Sequence, residues 1–112
     1  MEITSEKKND VLVISPLEKR LDAKVAMDFK ENLVRRVKED GYSRILINLD
    51  AIDFIDSAGL GAMVSVLKLI GKNGELKIAR PRDQVKNMFD LTRLNLVFNI
   101  YDDVESALKS FN

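Results

Sequence analysis

The chain has 112 residues, 46% of them hydrophobic, with 18 acidic side chains balanced by 18 basic ones; that is enough apolar content for one packed core and lacks the basic excess of a nucleic-acid binder. It contains no Cys and no His, which excludes disulfides, thiolate nucleophiles, Cys-based zinc sites and the usual general base. No segment approaches the roughly 20 apolar residues that span a bilayer, and Met1-Glu2-Ile3-Thr4 lacks the basic stretch and apolar run of a signal peptide, so the expectation is a cytoplasmic protein, 1–112 as one domain, with no membrane partner.

Glu2 to Lys7 predicts a first strand, turned back through Lys8-Asn9-Asp10. Val11-Leu12-Val13-Ile14 is rich in β-branched residues and ends at Ser15-Pro16, which predicts a second strand. Asp22 is a candidate N-cap for a helix through Glu39, with Val25, Ala26, Phe29, Leu33 and Val37 on its apolar face and Gly41 beyond its end. Ile45 to Leu49 is short and almost wholly apolar, as a buried central strand should be. Leu60, Met63, Val64, Leu67 and Ile70 then recur at helical spacing from Ala58 to Ile70, and Gly71 or Gly74 closes that helix.

Leu76 to Ala79 predicts a strand, Val85 to Leu91 a helix facing inward through Val85, Met88 and Phe89, and Val97 to Tyr101 a last strand. A closing helix carries Asp102, Asp103 and Glu105 in its first turn and Lys109 near its end, complementing the helix dipole. The sum is an α/β fold: a mixed β-sheet of about five strands with about four helices packed on it.

The chemistry-bearing stretch is Asp50 to Gly61, where the central strand gives way to an amphipathic helix. Such loops lie beyond the carboxyl ends of strands, where α/β folds bind ligands and partners. Ser57 is open to two readings: an N-cap for the following helix, or a hydroxyl modified by another protein. A phosphate on it would join Asp53 and Asp56 in an acidic patch that repels a partner docked over the neutral serine. Gly59-Leu60-Gly61 lacks the third glycine of a dinucleotide fingerprint, since position 64 is Val64, and Gly71-Lys72-Asn73 is no P-loop, so no cofactor site is expected. Asp50, Asp53 and Asp56 match no dedicated metal spacing, and no catalytic residue emerges. From Lys68 to Arg93 seven basic residues meet three acidic ones, which reads as a solvated face.

Ile47 to Gly61, centred on Asp56-Ser57-Ala58-Gly59-Leu60-Gly61, resembles the signature of the STAS domain family, in particular its small stand-alone anti-sigma factor antagonists. Leu21-Asp22-Ala23 resembles the family's loop before the first helix, and Leu91 to Leu108 its C-terminal end. The resemblance implies a bacterial partner switch rather than an enzyme. The unphosphorylated antagonist binds a serine kinase of the histidine-kinase-like ATPase type, which doubles as the anti-sigma factor. Phosphorylation of Ser57 ends that binding, a serine phosphatase restores it, and ATP and Mg²⁺ belong to the kinase. By the same resemblance Asp22, Asp56, Ser57, Gly59, Leu60 and Met63 form the kinase-facing surface.

Two positions depart from the family pattern. Lys19 stands where glycine is common, implying a loop without a strained backbone, and Asn48 stands where aspartate is common, removing one acid. Two other classes remain open: a STAS-type scaffold that is never phosphorylated, and a phospho-aspartate receiver. The latter would need an acidic pair after its first strand, where Ser15-Pro16-Leu17-Glu18 offers one acid.

Overall fold

The structure is a computed structural model that describes residues 1–111. Its strands are β1 (Ile3–Lys8), β2 (Val11–Pro16), β3 (Arg20–Leu21), β4 (Arg44–Asn48), β5 (Phe54–Ile55), β6 (Glu75–Ala79) and β7 (Asn99–Tyr101), and its helices α1 (Ala23–Lys38), α2 (Ser57–Ile70), α3 (Asp83–Leu91) and α4 (Val104–Lys109). Five strands form one sheet in the order β1-β2-β4-β6-β7. The β1–β2 hairpin is antiparallel, and every other pairing in that sheet is parallel. The hairpin turns at Asn9 and Asp10, both in the left-handed backbone region (φ 52° and 67°) that Asn and Asp tolerate best after glycine.

Strand periodicity divides the apolar residues between two faces. Leu12, Ile14, Ile45, Ile47, Leu76 and Ile78 enter the larger core with Phe29 and Leu33 of α1, Leu60, Met63 and Val66 of α2, and Val85 and Phe89 of α3. The alternate residues Val11, Val13, Leu46 and Ala79 pack with Ala107 and, at its margin, Val104, Leu108 and Phe111. Three helices therefore cover one face and α4 covers the other.

The last strand is shorter than the sequence suggests. Leu94–Leu96 forms a single 3₁₀ turn, and the Phe98 N–H donates to the Leu94 carbonyl at 2.9 Å, which leaves Val97 and Phe98 outside β7. Phe98 is buried there edge-on against Phe89, with ring centroids 5.6 Å apart. Leu69 and Leu91 fall on the exposed sides of their helices.

The fold also holds a second sheet of two strands, β3 and β5, paired in parallel with Leu21 opposite Ile55. This short ladder sits just before α1 and α2. It brings Asp22 and Asp56, far apart in sequence, to the neighbouring entrances of two packed helices.

Candidate functional site

Backbone hydrogen bonds fix the loop after β4. The Asp50 N–H donates to Asn48 Oδ1 at 3.3 Å, and the Ile52 N–H donates to the Leu49 carbonyl at 3.0 Å. Leu49 and Ile52 are wholly buried, so the loop is anchored by its apolar side chains. Farther on, the Asp53 N–H reaches the Lys19 carbonyl at 2.7 Å, and the Asp56 N–H reaches that of Leu21 at 3.4 Å.

Asp56 is the N-cap of α2. Its backbone is extended, and its Oδ1 accepts from the Gly59 N–H at 3.0 Å. Ser57 is the first helical residue and is exposed. The N-cap reading of Ser57 is therefore corrected: both residues have capping side chains, and the β5 backbone places the extended conformation that a cap needs at Asp56. The other carboxylate oxygen of Asp56 accepts from the Ala23 N–H at 3.2 Å, at the first residue of α1. Asp22 caps α1 through the Lys24 N–H at 3.1 Å, and Arg20 Nε lies 3.3 Å from its Oδ2. Arg20 also stacks over the Phe54 ring, 4.1 Å from the centroid, so one side chain ties β3 to β5 and to the α1 cap.

The remaining loop acids point to arginines instead of to each other. Asp50 pairs with Arg80 at 3.2 Å and Asp53 with Arg82 at 3.4 Å. Among the described residues no group of three or more carboxylates could hold a metal ion. The aspartates that sequence spacing assembles into one patch are thus dispersed among arginine and backbone partners. Ser57 is left at the positive end of a helix, where two N–H groups of the first turn lie beyond the single bond that Asp56 takes.

The expected docking residues separate into two groups. Asp22, Asp56 and Ser57 reach the surface, whereas Leu60 is 2% exposed, Met63 is 0% exposed and Gly59 is buried. The spacing that makes α2 amphipathic turns those last three into the core, so they cannot meet a partner directly. A Cβ on Gly59 would strike the Leu21 carbonyl oxygen, and hydrogen at that position lets α2 lie against β3. Gly61, by contrast, has open space around it.

What α2 does expose beside Ser57 is a groove shared with α1. Ala23, Ala26, Ala58 and Gly61 line it, Met27 and Lys30 rise at its side, and its volume is about 400 Å³. Met27 is 65% exposed. Sequence reasoning missed this groove because its small residues look like ordinary helix fillers; the signal was Ala23 on one helix and Ala58 and Gly61 on the other, small residues that reach the surface.

A family model described as STAS domain matches residues 2–107. The chain belongs to the STAS domain family. A Thermotoga maritima protein designated a candidate anti-sigma factor antagonist is 30% identical over 102 residues, which cover 90% of this chain and 89% of the relative. A crystal structure of a candidate anti-sigma factor antagonist from the same organism superposes with TM-score 0.88 at 28% identity, covering 96% of this chain and 92% of that one. The anti-sigma-B factor antagonist of Staphylococcus aureus is 30% identical over 76 residues, 67% of this chain and 70% of the relative. The Bacillus cell fate determinant SpoIIAA in its phosphorylated form shares the fold, with TM-score 0.73 at 16% identity, over 96% of this chain and 97% of that one.

Against the STAS pattern, both departures have simple local consequences. Apart from glycine, the described residues with left-handed backbone are Asn9, Asp10, Arg80 and Arg93. Lys19 is not among them, and its carbonyl receives the Asp53 and Phe54 N–H groups. Asn48 supplies the acceptor for the Asp50 N–H, a role its side-chain oxygen fills without a charge.

Proposed function

We propose that the protein is an anti-sigma factor antagonist of the partner-switching type, in which phosphorylation of Ser57 releases a bound kinase. The observation that carries the reading is the division of labour between neighbours. Asp56 makes the cap, so a phosphate on Ser57 Oγ takes no hydrogen bond from the fold. It adds about −1.5 to −2 charges next to Ala58, which lines the α1–α2 groove. The helix dipole accommodates that charge, worth about 0.3–1 kcal/mol at an exposed N-terminus. A docked partner meets it as repulsion and as a desolvation penalty.

The relatives named as anti-sigma factor antagonists support the general role, and the phosphorylated SpoIIAA shows that this fold exists in a phosphorylated state in another protein. The partner is a histidine-kinase-like serine kinase that acts as the anti-sigma factor and brings ATP and Mg²⁺. The γ-phosphoryl group passes to Ser57 Oγ as its bond to ADP breaks and the hydroxyl proton leaves, and a serine phosphatase hydrolyses the product. This chain contributes the acceptor and the docking surface and catalyses nothing. The switch operates in the cytoplasm. A receiver mechanism gains no support here, because the loop carboxylates diverge toward Arg80, Arg82 and the Ala23 N–H.

The test is labelling with ATP in a lysate of the source cells, on wild type and Ser57→Ala, with mass-spectrometric mapping. Label on Ser57 that the alanine variant lacks supports the switch. Label on an aspartate overturns it in favour of a receiver, and absence of label in a lysate whose serine kinases label other substrates leaves an unswitched scaffold. Ser57→Asp should remain folded yet retain the kinase at least about tenfold more weakly, the equivalent of about 1.4 kcal/mol.

A further inference from the structure

Each of the two strands before the switch helix has a partner on one side only, and for β5 that leaves a bonding deficit. In a parallel ladder alternate residues direct their N–H and C=O groups to opposite edges. The N–H groups of Phe54 and Asp56 go to Lys19 and Leu21 of the β3 segment. Those of Ile55 consequently face the other way, where there is no strand. Ile55 is 0% exposed, so water is no ready substitute, and an orphaned buried peptide group is costly.

The Gln84 side chain fills the place of the missing strand. Its Oε1 accepts from the Ile55 N–H at 2.9 Å, and its Nε2 donates to the Ile55 carbonyl at 3.1 Å. One primary amide thus meets both groups of one peptide residue, a match that requires a donor and an acceptor on the same planar group. Gln84 lies in the first turn of α3, beside Arg82, whose Nε donates to the Asp50 carbonyl and whose Nη1 pairs with Asp53. Ile55 immediately precedes the cap residue Asp56, and Ser57 follows.

We propose that Gln84 is a positioning residue for the phosphoacceptor: by clamping Ile55 it fixes the backbone from which Asp56 caps two helices and Ser57 presents its hydroxyl. The proposal rests on the reading of Ser57 as the acceptor. Phosphoryl transfer depends on in-line placement of the attacking oxygen, and a misplacement near 1 Å can cost about a hundredfold in rate. Release of the clamp frees the Ile55 peptide and lets the Asp56-Ser57 corner shift, while Asp22, Asp56 and Ser57 keep their own side chains.

The experiment combines amide exchange by NMR with labelling by ATP in the kinase-bearing lysate, on the full chain as wild type, Gln84→Ala and Gln84→Glu. Glutamate keeps the acceptor for the Ile55 N–H and loses the donor, so it answers the question even if the alanine variant folds poorly. Expected is exchange at Ile55 faster by about tenfold or more in Gln84→Ala, with core amides such as Ile47 unchanged. The maximal labelling rate at Ser57 should fall about tenfold while the half-saturating protein concentration moves less than about twofold, with Gln84→Glu intermediate. A loss of folded protein alone would not give that split. Equal labelling of wild type and Gln84→Ala overturns the positioning role alone, as does unchanged exchange at Ile55. No label on wild-type Ser57 beside an active kinase overturns the acceptor reading itself, and the proposal with it.

Discussion

Asp56 and Ala23, 33 residues apart, are joined by one hydrogen bond of 3.2 Å from the first N–H of α1 to the carboxylate that caps α2. A single side chain thereby takes one orphan N–H from the first turn of each of two helices and sets their entrances side by side. The groove that runs from Ala23 and Ala58 between α1 and α2 begins at this junction. The stability of the site and the shape of the docking surface therefore depend on the same carboxylate.

Removal of the carboxylate in Asp56→Ala should cost about 2 kcal/mol, since one cap and one inter-helix bond are lost together. Asp56→Asn keeps an oxygen for the Gly59 N–H but presents an amide nitrogen to one of the two donors. Its loss should be near 1 kcal/mol. Urea unfolding of the two variants against wild type checks the order, and equal midpoints for all three would refute the shared-cap account.

The two glycines of α2 should respond in opposite directions. Gly59→Ala drives a methyl group into the Leu21 carbonyl and toward Ile55, which predicts a loss of about 1–3 kcal/mol from overpacking. Gly61→Ala meets no atom within 4 Å and removes a glycine from a helix interior, a gain of up to about 1 kcal/mol. The new methyl narrows the groove, so the more stable Gly61→Ala should bind the partner kinase more weakly. Thermal unfolding and a pull-down on the same preparations separate the two effects.

The elements with a strong period or a short, wholly apolar run were legible in the sequence. Val11 to Ile14 and Ile45 to Leu49 read as buried strands because they are short apolar runs, and the spacing of Ala26, Phe29 and Leu33 read as the buried side of α1 because helical burial acts through that period. The two-residue strands β3 and β5 carry no period at all, and with them went the bond from the Ala23 N–H to Asp56. Asp56 and Ser57 are both good caps, and only the extended backbone inherited from β5 chooses between them. The Gln84 clamp joins residues 29 apart and leaves no local mark. Leu60 and Met63 show the converse: their own helical spacing already placed them in the core, against the surface role carried over from the family resemblance.

Acid should loosen the last helix through its cap. Asp103 Oδ1 accepts from the Ser106 N–H at 2.6 Å, and that backbone bond, aided by Lys109 and Arg80, holds the carboxyl below its ordinary value of 3.8. A carboxyl lowered on folding stabilises the native state above its unfolded value, and the contribution disappears as pH falls through the folded one. The urea midpoint of wild type should therefore exceed that of Asp103→Asn at pH 7, with the gap unchanged to about pH 5 and closing below pH 4. Other carboxylates titrate in both proteins and cancel in the difference. A gap that stays constant to pH 3 would contradict the assignment.

The other anchor of α4 is a cation in the smaller core. Lys77, 7% exposed, sends Nζ to the Ser110 carbonyl and to Ser110 Oγ, both at 2.8 Å. The ammonium lies 4.8 Å from the Phe111 ring centroid and 5.7 Å from that of Tyr101. It thus caps the carbonyl end of α4, where the helix dipole favours positive charge, and stands between two aromatic faces. Lys77→Met keeps an unbranched apolar stem at a buried position but deprives the Ser110 carbonyl and hydroxyl of their donor, a loss of about 1–3 kcal/mol. Methionine also avoids desolvating an ammonium, so the net change in global stability should be smaller than that figure. The local effect should not shrink in the same way. Amide exchange in α4 should rise about tenfold in Lys77→Met, while exchange at Gly59 and Ala23 remains at the wild-type rate because those amides belong to the opposite face of the sheet. Were α4 exchange unchanged, packing by Val104, Leu108 and Phe111 alone would hold the helix, and Lys77 would be a passenger in the core.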